Sequence, residues 1–160
     1  MINADADVYA DADADVKFDG AILAVDYGLR RCGLAVCDTE RRLAVGIGVL
    51  TGLAGRALTR AVKREAELRR INEIVVGLPC ASGASGCAAA AGAERLSQAL
   101  GKSGMIVHRW NEAYSTAEAL SAKRHYGNSH NKPRGWEDEA AAVLILQNYL
   151  DWLKNKQEKS

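Results

Sequence analysis

Residues 21–27, Ala-Ile-Leu-Ala-Val-Asp-Tyr, form an apolar run closed by Gly28. A run without alternation reads as a central strand covered on both faces. Shorter apolar segments follow at 33–37 and 43–50, separated by the polar stretch Asp38-Thr39-Glu40-Arg41-Arg42, and together they predict an antiparallel three-stranded meander. The period then changes. Leu58, Ala61, Val62, Glu65, Leu68 and Ile71 lie near helical spacing within 53–70, and 73–77 returns to a strand ended by Leu78-Pro79. A Gly/Ser loop over 82–86 leads to an Ala-rich helix over 87–100, and 105–110 makes a fifth strand. Beyond the loop 111–115, a short helix is expected over 116–125, a polar basic loop over 126–135 and an apolar final helix over 137–153. The pattern predicts an α/β fold: one mixed five-stranded sheet, three strands antiparallel and two added by parallel crossovers, with helices packed on it.

The start of the chain does not fit that pattern. Residues 3–15 nearly alternate Ala and Asp, a period of two built from residues that strands avoid. The expected organisation is a disordered acidic arm over 1–20, one domain over 21–155 and a polar tail over 156–160. Six aspartates against Lys17 leave residues 1–20 at −5, so from a chain total of +1 the remainder carries +6. A basic body suits a polyanionic partner. The arm reads either as an inert extension or as a segment that competes for that basic face.

No apolar run approaches the ~20 residues of a membrane span, and residues 1–20 lack the apolar segment and basic flank of a secretory signal. The expectation is a cytoplasmic protein without membrane attachment. Cys32, Cys37, Cys80 and Cys87 read as reduced thiols, because a chain of 160 residues buries a core without staples. Their spacings do not match a structural zinc knuckle.

Three acids stand where a solvated surface role explains them poorly. Asp26 ends the most apolar strand, where a carboxylate loses hydration; the alternative is an Asp that caps the turn at Gly28. Asp138 continues the stripe of Ala141, Ala142, Ile145, Leu146, Tyr149 and Leu153, whereas Glu137 and Glu139 are expected to point away from the sheet. Glu112 lies in the loop leaving the fifth strand, at a sheet end where sites are built. Three carboxylates meeting at one sheet end would need metal to stay unprotonated together. His108 and Trp110 share a strand face with Glu112, and an aromatic there serves either the core or a site. Lys123, Arg124, His125, His130, Lys132 and Arg134 make the loop before the last helix either a phosphate clamp or a solvated segment.

Four collinear blocks between about residues 21 and 151 resemble the YqgF/RuvX-type family, described as Holliday-junction resolvases and as pre-16S rRNA processing nucleases. They are Leu23-Ala24-Val25-Asp26-Tyr27-Gly28-Leu29-Arg30-Arg31-Cys32-Gly33-Leu34-Ala35-Val36, Glu73-Ile74-Val75-Val76-Gly77-Leu78-Pro79, the segment 112–116, and 138–150 beginning Asp138-Glu139-Ala140-Ala141. The resemblance implies a ribonuclease H-like fold in which Asp26, Glu112 and Asp138 are the catalytic acids and bind Mg2+ or Mn2+. It implies two ions about 4 Å apart that drive in-line hydrolysis of a phosphodiester. Arg30 and Arg31 would hold backbone phosphate, and Lys132 and Arg134 are the further candidates that the charge of their loop offers. The chain departs from the family's usual pattern at Leu29 (Thr), Asn111 (Asp), Ala113 (Arg) and the 80–85 loop, which bears on substrate positioning more than on metal binding.

The expected activity is therefore metal-dependent hydrolysis of structured nucleic acid, with processing of the pre-16S rRNA 5′ end ahead of Holliday-junction resolution. A nucleic-acid-binding or ribosome-associated module without cleavage is the alternative of another class, since binding needs the basic face but not all three acids. An actin-like or sugar-kinase ATPase also opens with such a strand, but it needs two domains around ATP. The oligomeric state expected is a monomer or weak homodimer, and a junction resolvase would act as a symmetric dimer.

Overall fold

The computed structural model describes residues 20–79, 81–111 and 134–160. Five strands, β1 (Ile22–Asp26), β2 (Arg31–Cys37), β3 (Ala44–Thr51), β4 (Glu73–Leu78) and β5 (Ile106–Asn111), make one sheet in the order β3-β2-β1-β4-β5. β1 pairs antiparallel with β2, and β2 with β3; β4 runs parallel to β1, and β5 to β4. Three helices are described, α1 (Gly55–Leu68), α2 (Gly83–Lys102) and α3 (Trp136–Glu158).

The unbroken apolarity of β1 has the expected cause, since both of its faces are covered. Leu23 and Val25 point into a cluster with Leu58, Val62 and Ala66 of α1 and Ala93, Leu96 and Leu100 of α2. Ile22 and Ala24 point the other way, into a cluster with Ala142, Ile145, Leu146, Tyr149 and Leu150 of α3. Each large side chain buried this way contributes about 1.5–3 kcal/mol. By strand alternation Asp26 shares the face of Ile22 and Ala24, and is thereby directed to the side of α3.

The β2–β3 turn is held by Asp38, whose Oδ1 accepts the backbone N–H of Arg42 at 2.7 Å and of Leu43 at 3.1 Å. Those two donors hold its carboxyl below the ordinary range. Arg41 takes a left-handed conformation at this turn (φ 56°), and its guanidinium reaches Glu73 at the start of β4.

Two helices outrun their expected bounds. α2 begins at Gly83, so the Gly/Ser segment is its first turn; Ser82 supplies the N-cap position, and the alanines that follow carry the helix despite the glycines. α3 continues to Glu158, because Lys154–Glu158 contains no glycine or proline to stop it. Within α2, Gly92 lies against the Tyr27 ring, where any Cβ would collide with that ring. Cys32, Cys37 and Cys87 are free thiols, the first two buried on opposite faces of the sheet. Among the described residues no helix is long and apolar enough to cross a membrane.

Candidate active site at the carboxyl end of the first strand

Asp26 ends β1, and its partner across the antiparallel ladder is Gly33. α3 starts directly over that glycine: a Cβ at Gly33 would run into the carbonyl of Asp138 and the amide of Glu139. Gly33 is thus the residue that lets the helix start descend onto the sheet beside Asp26. The helix is initiated by Gly135 in the left-handed region (φ 94°), and its carbonyl accepts the N–H groups of Asp138 (3.0 Å) and Glu139 (3.2 Å). Glu137, Asp138 and Glu139 occupy the first turn, where negative charge meets the positive end of the helix dipole.

The carboxylates of Asp26 and Asp138 both act on the thiol of Cys32. Burial raises that thiol's pKa most, and the two acids push it the same way. Cys32 donates weakly to the Gly28 carbonyl at 3.5 Å and stays protonated. Arg31 Nε lies 3.0 Å from Asp138 Oδ2, outside the direction a hydrogen bond requires, and that oxygen is buried with no hydrogen-bond donor among the described residues. Two carboxylates on adjoining elements at one sheet end, one with a buried oxygen that takes no hydrogen bond among the described residues, are oxygen donors of the kind a hard divalent ion takes.

The structure brings together Asp26, Asp138 and Arg31, and leaves Arg30 exposed at the same turn. Arg134 is exposed immediately before Gly135. Glu112 and Lys132 lie outside the described residues, as do Cys80, the segment expected to be helical at 116–125 and the arm over 1–19. Among the described residues no group of three or more metal-ligating side chains forms.

One orientation differs from expectation. Glu137 is exposed, but Glu139 lies over β3, where its carboxylate fills the space that a side chain at Gly46 would take. The helix crosses β2 and β3 at its start, so a residue one position past Asp138 meets the next strand; helical periodicity alone does not reveal that crossing. His108 and Trp110 belong to the core around Tyr149, with ring centroids 5.4 and 5.6 Å from the Tyr149 ring. His108 Nε2 is 2.8 Å from Glu73 Oε1, and the Arg41 guanidinium reaches Glu73 Oε2 at 2.5 Å, a charged cluster at the opposite end of the sheet from Asp26.

Gly33→Ala is expected to push the start of α3 off the sheet, lowering the melting temperature by roughly 5 °C or more, since overpacking costs about 1–3 kcal/mol. It should also carry Asp138 away from Asp26. Thermal denaturation checks the first effect; an unaltered melting temperature would mean that the Gly33 contact does not fix the helix.

A three-stranded meander extended by two parallel strands, with acids brought to one sheet end from the first strand and the last helix, defines a ribonuclease H-like protein. Residues 20–152 match the RuvX family, described as Holliday junction resolvase, and the chain belongs to that family. It is a nuclease family, and the class of chemistry is hydrolysis of phosphodiester bonds in nucleic acid. The chain is 35% identical over 133 residues to a "Putative pre-16S rRNA nuclease" of Koribacter versatilis, covering 82% of this chain and 87% of that protein. It is 39% identical over 136 residues to one of the same description from Anaeromyxobacter sp., covering 81% and 95%. Among solved structures, T. thermophilus RuvC in complex with Holliday junction substrate superposes with a TM-score of 0.55 at 16% identity, covering 84% of this chain and 96% of that one. The fowlpox virus Holliday junction resolvase gives 0.54 at 12% identity, covering 82% and 99%. At such identities the likeness is one of fold.

Proposed function

We propose that this chain is a divalent-metal-dependent nuclease acting on structured nucleic acid in the cytoplasm, and that its substrate is the 5′ end of the pre-16S rRNA precursor. The observation that carries the reading is the seating of Asp138 on Gly33, the ladder partner of Asp26, with an Asp138 Oδ2 that is buried without a hydrogen-bond donor among the described residues. Asp26 and Asp138, with Glu112 as the third acid, would hold Mg2+ or Mn2+, two ions in the complete site. Bound there, the ions supply an activated water and charge neutralisation at the leaving oxygen. The chain's own part is to hold the carboxylates rigidly, one on a central strand and one on a helix seated on Gly33. Arg31 neutralises Asp138 in the absence of metal, and Arg30 faces solvent where a phosphate would approach. The choice of rRNA is supported by the names of relatives at 35–39% identity.

The family's own description favours a second reading, resolution of a four-way DNA junction, for which a symmetric dimer would be required. A monomer or weak homodimer suits the rRNA reading. The experiment offers the purified full chain a 5′-labelled RNA spanning the pre-16S leader and, separately, a four-way DNA junction, each with Mg2+, Mn2+ or EDTA. RNA cut near the mature 5′ end only when metal is present is the expected result. Junction cleavage without RNA cleavage would replace the first reading by the second, and binding without cleavage of either would sink both.

A further inference from the structure

We infer that the outward face of α1 is a docking track for the sugar-phosphate backbone of the nucleic-acid substrate, formed by Arg56, Arg60 and Arg64. The inference deepens the nuclease reading and rests on its substrate being nucleic acid. The three arginines are spaced four residues apart and therefore stack on one stripe of the helix. All three are exposed, and the stripe lies away from Leu58, Val62 and Ala66, which face the core.

None of the three has an acidic partner among the described residues. The acids of this helix are engaged elsewhere: Glu65 pairs with Arg69 at 2.5 Å, and Glu67 pairs with Lys63 at 3.8 Å. Like charges at this spacing repel, and Arg56 stands in the first turn, where the helix dipole disfavours a cation and no acid offsets it. The row therefore works against helix stability, and an ordinary solvated face would alternate signs. What it suits is a row of anions.

The row also begins at the right place. Thr51, at the end of β3, pairs with Arg31, and Gly52 N–H donates to the Arg30 carbonyl at 3.0 Å. Arg56 follows four residues later, so the row starts within about 14 Å of chain from the turn that carries Arg30 and Arg31. From Arg56 to Arg64 the helix advances about 12 Å, the rise of three to four nucleotides along one strand of a duplex. The occupant must be polyanionic, and a body at +6 outside residues 1–20 is complementary to it.

The test measures binding of a 5′-labelled RNA stem-loop and of a four-way DNA junction by fluorescence anisotropy. It is run in EDTA so that cleavage plays no part, over a salt titration. The combined variant Arg56→Gln, Arg60→Gln, Arg64→Gln is compared with Lys154→Gln, Lys156→Gln, Lys159→Gln, which removes the same charge from the end of α3 remote from Asp138. The α1 variant should lose about 2 to 3 from the slope of log affinity against log salt, and at least about tenfold in affinity at low salt. The α3 variant should lose less than about 1. The melting temperature of the α1 variant should be unchanged or higher, since repulsion has been removed. Equal losses in both variants would reduce the effect to net charge and overturn the proposal. An unchanged slope with a lowered melting temperature would assign the row to the chain's own acidic residues 1–20 and overturn it as well. If the parent chain binds with the expected slope yet cuts neither substrate with metal, the nuclease reading fails while the track stands.

Discussion

Asp138→Asn and Asp26→Asn are each expected to lower metal-dependent cleavage by about a thousandfold or more, the equivalent of roughly 4 kcal/mol in the barrier. Each removes a full charge from a site with two described carboxylates, so metal binding should weaken together with turnover. Folding should barely change. Arg31 and Asp138 are 46% and 26% exposed at their side chains, so the ion pair that Asp138→Asn removes is worth about 0–1 kcal/mol. The discriminating measurement is therefore the melting temperature with and without Mn2+. The parent chain should gain stability as the ion binds the folded state, and the variants should not. A variant that keeps both its metal-induced rise and its cleavage would place the site elsewhere.

The places of Asp26 and Asp138 in the fold were legible because both sit at element boundaries that periodicity exposes. Asp26 ends an apolar run, and Asp138 continues an apolar helical stripe, so their positions at the end of β1 and the start of α3 follow from two patterns counted independently. What sequence could not deliver was the contact through Gly33. A glycine in a strand has several uses, and only the descent of α3 shows that this one is a seat for the helix start. The orientation of Glu139 was missed for a related reason: a hydrophobic stripe gives the buried side of a helix but not the angle at which it crosses the strands beneath. The early start of α2 shows the limit of composition, since Gly83 and Gly86 read as loop although a long alanine run carries them into the helix. The basic row on α1 has a helical period and could have been counted. It was obscured because the helix also contains acids, and only their pairing with Lys63 and Arg69 shows that Arg56, Arg60 and Arg64 are left without them.

The least legible feature is the charged cluster at the far end of the sheet, and it carries the second large expectation. Glu73, Arg41 and His108 come from β4, the β2–β3 turn and β5, with 32 and 35 residues separating Glu73 from its two partners, so no local pattern joins them. Glu73 and His108 are each only 4% exposed. Burial alone would raise the Glu73 pKa, but hydrogen bonds from His108 and Arg41 and the charge of Arg41 outweigh it and hold the carboxyl below its ordinary value. Arg41 also donates through Nε to the Gly20 carbonyl at 2.8 Å, which ties down the chain entering β1. Glu73→Gln keeps the shape but strands a guanidinium whose side chain is nearly buried, and breaking such a pair costs about 3–5 kcal/mol. For a domain of this size that is a fall of roughly 10–15 °C in melting temperature at pH 7. The sign with pH follows from the depressed pKa. The Glu73 contribution is complete above the carboxyl's unfolded value near 4.5 and disappears as pH falls through the lower folded value. Melting curves of the parent chain and of Glu73→Gln should therefore stand far apart at neutral pH and converge only as pH falls through that lowered folded value. Arg41→Met combined with Glu73→Leu and His108→Phe should recover part of the loss, because it leaves no buried charge alone, although the Gly20 carbonyl loses its donor. A gap between parent and Glu73→Gln that does not narrow at any acid pH at which the chain still folds would mean that shape, and not charge, holds this end of the sheet together.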